Sequence, residues 1–420
     1  MEGSHESISD RLLATLFPPN SKLHRVFRHR DYRLLWIGAF LSFVGGWIQN
    51  IGQGVLVYDI TGSKEKLALI ILCWNLPVLI LGPFAGGMVD TMDKKKLLVW
   101  TQILLASIAF IVGILTWTKH VTFNILLFAA VANGIVACFE MPVRQAMMSA
   151  SVPKEDVAIA IPVQGFSFNL ARVVGPILAA LVLANMKIEH TYIINGFSYL
   201  ALIFAALAVK TNMAAVADRS GAMFDLISEG VRYMWREPRL RTLFLIETLV
   251  NFFALFYLTQ MPAIAKDMLG LGPDGVGYIT TAVGVGAVLA LITNTRIADL
   301  DIKGTLIKGA VFAMAVGLAL LSHTTTLWVA MPVMVILGMS SILIFNLCNS
   351  LMQLIAPEQL RGRVISVHVW GLSGLGSLGV YPYGWLSEHY GLRLALQVAA
   401  VITLVIGLWA YSNKLSLEAK

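Results

Sequence analysis

The sequence predicts an all-α membrane protein with twelve transmembrane helices in two pseudo-symmetric six-helix halves. Scarce charge, recurring apolar windows and a weak internal repeat lead to this fold class. Only 13% of the 420 residues are Asp, Glu, Lys or Arg, about half of the roughly 25% that soluble domains carry. The mean hydropathy is +0.76. This composition indicates that lipid solvates most of the chain.

Apolar windows long enough to cross a bilayer recur along the whole chain. About 20 apolar residues are needed to span a hydrocarbon core about 30 Å thick. Twelve such windows are predicted, at 33–57, 66–89, 97–118, 121–145, 158–184, 190–209, 240–265, 275–296, 304–322, 325–350, 363–387 and 391–412. An even number of crossings places both ends of the chain on the same side of the membrane.

A weak repeat divides the predicted helices into two sets of six. YRLLW at 32–36 matches LRTLF at 240–244, and Asp59 matches Asp267, both at an offset of 208 residues. Two six-helix halves joined by a linker is the architecture of parallel-repeat transporters. The predicted organisation is an N-terminal arm (1–32), a first half (33–209), a linker with an amphipathic helix (210–238), a second half (239–412) and a tail (413–420).

Lys and Arg fall unevenly on the two sides of this topology. With the N-terminus in the cytoplasm, the segments on that side hold 24 of the 31 basic residues and the outer loops hold six. Lys and Arg accumulate in cytoplasmic loops. We therefore expect a multi-pass protein of the plasma (inner) membrane with both termini cytoplasmic. The net charge of +7 then reflects topology and indicates no nucleic-acid partner.

The sequence shows none of the motifs that mark an enzyme or a metal site. Cys73, Cys138 and Cys348 are scattered within predicted helices, and the His residues fall singly, without an HExxH-type pair. Nucleophile elbows and Walker motifs are also missing. We expect a monomer that is not an enzyme and that carries neither cofactor nor metal.

Several stretches resemble a known family. GGMVDTMDKKK (86–96) is similar to the cytoplasmic-loop motif of the major facilitator superfamily, and it departs from that motif at Thr91. ARVVGPILAA (171–180) is similar to the helix-5 motif of the export branches. Together with LWIGAFLSFVGGWIQ, FEMPVRQ, FNLARVVGP, INGFSY and LRGRVIS, these stretches resemble the branch of enterobactin exporters and drug:proton antiporters.

The loop motif suggests a gate. Asp90 ends the second predicted helix, and Lys94 and Lys95 follow one turn later. The carboxylate could pair with basic residues or face a helix N-terminus and hold the halves together, with Gly86 allowing close approach. Alternatively, the lysines bind lipid headgroups.

In the fifth helix, Gly175 and Pro176 predict close packing and a bend used in gating, although membrane helices also tolerate proline without such a role.

Arg172 lies near the middle of the fifth predicted helix, where a charge costs at least about 2.5–3.5 kcal/mol. The guanidinium must therefore face water, a partner or a ligand, and Asn169 shares its helix face. A role in substrate binding or coupling and a role as a brace bonded to backbone carbonyls both remain open.

Glu140 and Arg144 are spaced to pair at i, i+4, and that pair can be a gate or a helix-end salt bridge.

Glu247 is the best candidate for a proton carrier, because an apolar environment favours the neutral form of a carboxyl group. Amides in other predicted helices either line a substrate pocket or bond neighbouring helices. They include Gln49, Gln53, Asn251 and Asn346.

The resemblance and the residues together predict a secondary active transporter that works by alternating access. We expect it to use a proton to drive export of an amphipathic small molecule, a siderophore or a drug, with membrane lipid as its other partner. A lipid or lysolipid flippase of the same fold is the first alternative. A membrane receptor or scaffold that transports nothing is the second.

Overall fold

A computed structural model describes residues 22–211, 223–297, 302–358 and 360–413. Every regular element in these ranges is a helix, so the predicted fold class is confirmed. The helices of the first half are α1 (Arg30–Thr61), α2 (Lys64–Asp90), α3 (Lys94–Trp117), α4 (Phe123–Ala150), α5 (Val157–Asn185) and α6 (Glu189–Ala208).

The second half contains six further helices. They are α7 (Pro238–Ala254, continued by short helical segments to Met268), α8 (Pro273–Arg296), α9 (Lys303–His323), α10 (Leu327–Ile355), α11 and α12 (Leu392–Ser412). Helix α11 consists of Arg361–Trp370, a π segment at Gly371–Leu375, a 3₁₀ turn at Gly376–Gly379 and Val380–Tyr390.

Eleven helices in the described ranges are long and apolar enough to cross a membrane. The predicted window at 363–387 coincides with α11, which is less uniform than expected because it is divided into α, π and 3₁₀ pieces. Its first piece carries Arg361, Arg363 and His368, which lower its hydropathy. Its 30 helical residues would still extend about 45 Å at 1.5 Å per residue.

Side chains at the helix starts bond the free backbone N–H groups, as expected for N-caps. Ser63 Oγ accepts from the Lys66 amide at 3.2 Å before α2, and Asp93 Oδ1 accepts from the Lys96 amide at 3.0 Å before α3. At the end of α1, Gly62 has a φ of 61° and its amide donates to the Tyr58 carbonyl at 2.8 Å. Glycine adopts this left-handed cap without steric cost.

Glycines let α1 pack directly on α6. Gly38, Gly45 and Gly52 recur every seven residues, and a Cβ at Gly45 would lie 2.2 Å from Ser198 Oγ and one at Gly52 would lie 2.1 Å from Thr191 Oγ1. In the second half, Gly286 and Gly338 perform the same role between α8 and α10. Because apolar side chains gain little by leaving lipid, such close approach is what holds membrane helices together.

We call the end of the bundle that holds Arg30 and Ser412 the terminal end, and the end that holds the α1–α2 turn and the α7–α8 connection the opposite end. The linker helix, Met223–Arg236, packs on α11 through Gly230, which contacts the backbone of Arg363. In this helix Met234 is buried, whereas Val231, three residues earlier, is 37% exposed. Much of the predicted arm, linker and tail lies outside the described residues.

Candidate functional site

The two halves are bonded to each other at the opposite end. Asp267, at the end of the α7 continuation, accepts a hydrogen bond from the Tyr58 hydroxyl at 2.6 Å and lies 2.7 Å from Lys64 Nζ. The Gln260 amide donates to the Lys64 carbonyl at 3.0 Å. The ammonium groups of Lys64 and Lys266 flank the Tyr58 ring at 5.8 and 5.7 Å from its centroid. These groups connect α1 and α2 of the first half to α7 of the second.

Helix α11 makes a second set of bonds to the first half. The Lys64 amide donates to Glu388 Oε2 at 2.7 Å, and the Tyr381 hydroxyl donates to Glu65 Oε1 at 2.7 Å. We call the two sets together the latch, which comprises Tyr58, Lys64, Glu65, Gln260, Asp267, Tyr381 and Glu388. The latch closes the space between the halves at the opposite end.

Two helix pairs continue this contact toward the middle of the bundle. Between α5 and α8, a Cβ at Gly277 would lie 2.2 Å from Ala180 Cβ, whereas one at Gly284 would lie 3.4 Å from Val173 Cα. Between α2 and α11, the Trp370 indole donates to the Leu79 carbonyl at 3.2 Å. The spacing between α5 and α8 therefore widens from the latch toward the terminal end.

On the terminal side of these contacts, a polar cavity of about 450 Å³ opens beside α10 and the start of α11. Amides, a hydroxyl and a guanidinium supply its polar lining. Its residues are Asn346, Asn349, Ser350, Gln353, Leu354 and Arg361. The predicted pocket residue Asn346 thus lines a cavity, together with three polar neighbours on α10 that hydrogen-bonding groups of a ligand could reach.

Arg172 lies in the middle of α5 with a half-buried side chain. Its Cζ is 5.9 Å from the centroid of the Trp47 ring on α1, within the range of a cation–π contact. The guanidinium makes no hydrogen bond or ion pair with the residues that the structure describes. The carbonyl contacts expected of a helix brace are therefore not seen within the described ranges.

Glu140 and Arg144 pair within α4, as their spacing predicts. The Gln102 amide on α3 donates to Glu140 Oε1 at 3.1 Å, and Arg144 donates to Ser42 Oγ on α1 at 3.3 Å. The Phe43 ring lies 4.3 Å from the Arg144 guanidinium. This buried network ties three helices of the first half together, and it leaves Glu140 occupied rather than facing Arg172.

Glu247 lies on α7 and is 2% exposed. Its Oε2 is 2.8 Å from Nδ1 of His368 on α11, which is also buried. Sequence reasoning missed His368, although an ionisable residue inside a predicted span was the available signal. Two buried titratable groups in contact can share or exchange a proton.

Three other predicted residues bond backbone or side-chain groups nearby. Asn195 on α6 donates to Gln49 Oε1 at 2.7 Å, Asn251 on α7 donates to the Leu372 carbonyl at 2.5 Å, and Asn169 donates to the Gly165 carbonyl at 2.9 Å. Gln49 and Asn251 therefore connect helices, one of the two roles that the sequence left open. Gln53 is half-buried, and its role stays a prediction.

The predicted gate residues lie at two levels of the bundle. Lys95 Nζ donates to the carbonyls of Leu207 and Val209 and so caps the end of α6, while Lys94 is buried. Asp90 is the last residue of α2, but its side chain and the surroundings of Gly86 lie outside the described part of the structure. Gly175 and Pro176 are buried in α5, where a Cβ at Gly175 would lie 2.3 Å from Trp47 Cβ.

The family model of the transmembrane secretion effectors matches residues 23–419. The chain belongs to this family of the major facilitator superfamily. It is therefore a membrane transporter and not an enzyme.

Relatives and solved structures agree with that assignment. The chain is 24% identical over 386 residues to the multidrug efflux pump Tap of Mycolicibacterium fortuitum, covering 90% of this chain and 94% of the relative. It is 22% identical over 260 residues to the staphyloferrin A transporter of Staphylococcus aureus, covering 62% and 65%. The nucleoside transporter NupG has the same fold, with a TM-score of 0.75 at 12% identity over 93% of this chain and all of that one.

Proposed function

We propose that this protein exports an amphipathic small molecule from the cytoplasm and that proton entry drives the export. The observation that carries the proton-coupled part of the proposal is the buried contact between Glu247 and His368. Similarity to a multidrug efflux pump and a siderophore transporter supports the direction and the kind of cargo. The latch, which bonds the two halves at one end of the bundle, supports a mechanism of alternating access.

The distribution of basic residues supports a cytoplasmic terminal end in the plasma membrane. In that orientation the latch closes the outer face, and the cavity at Asn346 opens toward the cytoplasm. This is the state in which an exporter would collect its cargo. A cation-rich terminal end would also contact anionic headgroups of the inner leaflet.

The surroundings of His368 offer a route from protonation to movement. Trp370, two residues later, bonds the Leu79 carbonyl of the other half, and Gly371 begins the π segment of α11. A Cβ at Gly371 would lie 2.3 Å from the Phe244 ring of α7, so α7 and α11 are tightly packed here. A change in charge at the Glu247–His368 pair would alter this packing and, through Trp370, the contact between the halves. Segments of π-helix often occur at functional sites of this kind.

Proteoliposomes with an imposed pH gradient test the proposal. A fluorescent lipophilic dye, a ferric siderophore and a lysophospholipid serve as probes for wild type, Glu247→Gln and His368→Gln. We expect wild type to accumulate a dye or siderophore against its gradient and Glu247→Gln to lose accumulation while downhill movement persists. Glu189→Gln, a change at another buried carboxylate, is the control and should behave as wild type.

Two results would contradict the proposal. Undiminished uphill export by Glu247→Gln would exclude this carboxylate as the proton carrier. Movement of the lysophospholipid alone, independent of the pH gradient, would instead support the lipid flippase.

A further inference from the structure

The polar cavity on the terminal side begins where the close contact between α8 and α10 ends. Nearer the middle of the bundle, a Cβ at Gly286 of α8 would lie 2.6 Å from the backbone nitrogen of Met339 on α10. Met339, Asn346 and Gln353 recur at intervals of seven residues and therefore share one face of α10. This face packs on α8 at Met339 and lines the cavity at Asn346 and Gln353. The cavity is thus a continuation of a helix face that turns from apolar to polar.

The polar lining keeps most of its hydrogen-bonding capacity free. One side-chain hydrogen bond joins two lining residues, from Gln353 Nε2 to Asn349 Oδ1 at 3.0 Å. These two amides carry four N–H groups between them, and the bond occupies one. The side chains of Asn346, Ser350 and Arg361 make no hydrogen bond with the residues that the structure describes. Donors on both α10 and α11 are therefore available to a ligand.

The lining carries a positive charge and no negative one. Arg361, at the start of α11, supplies a guanidinium, and none of the other five lining residues is ionisable. Within the described ranges Arg361 forms no ion pair, either with Glu358 three residues earlier or with Glu229 of the linker helix, which bonds Arg363 instead. A cavity that offers a guanidinium and free amide N–H groups, without a carboxylate, favours an oxyanion over a cation.

The cavity also has room for more than the anionic group. Its volume of about 450 Å³ lies in the range of about 300–1,000 Å³ that is common for small-molecule sites. Leu354, which is 62% exposed, adds an apolar surface to the lining. Asn346 and Leu354 are eight residues apart on α10, so the lining extends about 12 Å along that helix. An amphipathic molecule can therefore contact polar and apolar groups of the cavity together.

We propose that this cavity binds the carboxylate end of an amphipathic cargo, an inference that rests on the proposed export function. The planar guanidinium of Arg361 matches the two oxygens of a carboxylate. The free N–H groups of Asn349 and Gln353 donate to the same anion, and Leu354 contacts the apolar part of the molecule. Arg361 belongs to the same piece of α11 as His368, so bound cargo is attached to the helix that carries the proposed proton site.

Binding of 1-pyrenebutyrate and of its primary amide to the full-length protein in lipid nanodiscs tests the site. We expect wild type to bind the carboxylate at least about fivefold more tightly than the amide. Arg361→Gln should abolish this preference, Arg361→Lys should retain part of it, and Asn349→Leu should weaken binding of the carboxylate severalfold. Arg236→Gln removes an exposed arginine of the linker helix that does not line the cavity, and this control should keep the preference. Comparing ratios between variants cancels partition of the probes into lipid.

Cysteine labelling locates the bound probe. In a cysteine-free background, Leu354→Cys should react more slowly with a water-soluble maleimide when 1-pyrenebutyrate is bound. Trp235→Cys, at an exposed position of the linker helix, is the control and should react at an unchanged rate. Without any probe, slower labelling of Leu354→Cys in nanodiscs that contain phosphatidylglycerol than in phosphatidylcholine alone would mean that a lipid phosphate occupies the cavity. That result would overturn the assignment to cargo.

Equal binding of acid and amide to wild type would also overturn the site, as would a preference that survives Arg361→Gln or is lost equally in Arg236→Gln. A thermal unfolding midpoint identifies any variant that fails to fold, and Asn349→Leu keeps the test available if Arg361→Gln does. The export assay separates the two proposals. Uphill export that shows no carboxylate preference and does not depend on Arg361 would refute the site alone. A carboxylate preference in binding without uphill export of any probe would refute the export function alone.

Discussion

Asp267 Oδ2 lies 2.7 Å from Nζ of Lys64 and also accepts the Tyr58 hydroxyl at 2.6 Å, so that one carboxylate at the end of α7 bonds two helices of the other half. Its repeat partner Asp59 is exposed at the end of α1. Asp59 and Asp267 occupy equivalent positions in the sequence repeat, but Asp267 bonds the other half whereas Asp59 is exposed. The closed end of the pathway therefore depends on an asymmetry between the halves.

Replacing Asp267 with Asn should favour opening at the latch. The side chains of Lys64 and Asp267 are 18% and 34% exposed, and such partly exposed pairs contribute at most about 1 kcal/mol. We expect the ratio of closed to open molecules to fall by up to about fivefold. The rate at which a membrane-impermeant maleimide labels Thr61→Cys in a cysteine-free background measures the opening. Asp59→Asn is the matched control, and equal labelling in both variants would show that the pair does not hold the latch.

Gly277→Ala should also open this end, but by steric conflict. The new methyl group would lie 2.2 Å from Ala180 Cβ and 2.4 Å from Ala180 Cα, and α5 and α8 cannot keep their present distance. Gly284→Ala, two turns along the same helix, meets Val173 Cα at 3.4 Å, an ordinary contact. Distances between spin labels on α5 and α8 should broaden or lengthen for Gly277→Ala only. A matching change for Gly284→Ala would mean that helix propensity, not contact between the halves, is responsible.

Gly175→Ala should destabilise the first half. Its methyl group would lie 2.3 Å from Trp47 Cβ, and overpacking of this kind typically costs about 1–3 kcal/mol. Gly165→Ala, on the same helix, serves as the control, because a methyl group at that position would have open space within 4 Å. The thermal unfolding midpoint in detergent should fall for Gly175→Ala alone. If the unfolding midpoint fell equally in both variants, the loss of stability would arise within α5 itself and not from its contact with α1.

Arg144→Met should strongly destabilise the first half. It would leave the buried carboxylate of Glu140 with the Gln102 amide but without its cation. Removing one partner of a buried ion pair costs about 3–5 kcal/mol, whereas removing both together is often close to neutral. We expect Arg144→Met combined with Glu140→Leu to unfold at a higher denaturant concentration than Arg144→Met alone. The opposite order would indicate that Glu140, through its bond to Gln102, stabilises the first half even without its cation.

The apolar windows predict the helices well because their signal is local. The predicted fifth window, 158–184, and helix α5, Val157–Asn185, differ by one residue at each end, since a helix crossing lipid must satisfy its own backbone. The window at 363–387 is the least regular, because glycines and polar residues divide α11 into different helical types. The pairing of Glu140 with Arg144 is also predictable, as it depends only on spacing within one helix.

Contacts between helices far apart in sequence cannot be predicted in this way. The sequence singles out Glu247, but His368, 121 positions further along the chain, becomes its neighbour only when α7 packs on α11. Gln49 is expected either to line a pocket or to bond another helix, and the structure places it against Asn195 of α6. Spacing along one helix cannot distinguish these outcomes, because both put an amide on an inward face.

By itself the sequence determined the helical membrane fold, the two sets of six helices and the presence of an unusual arginine in the fifth helix. Hydropathy and charge are properties of individual residues, so they can be evaluated along the sequence without knowing which helices pack together. Only the tertiary structure decided that Arg172 lies against the Trp47 ring, that Glu247 contacts His368 and that Asp267 bonds the other half at one end. These relationships follow from which helix faces approach one another, and that choice depends on close contacts such as those at Gly45, Gly175 and Gly277.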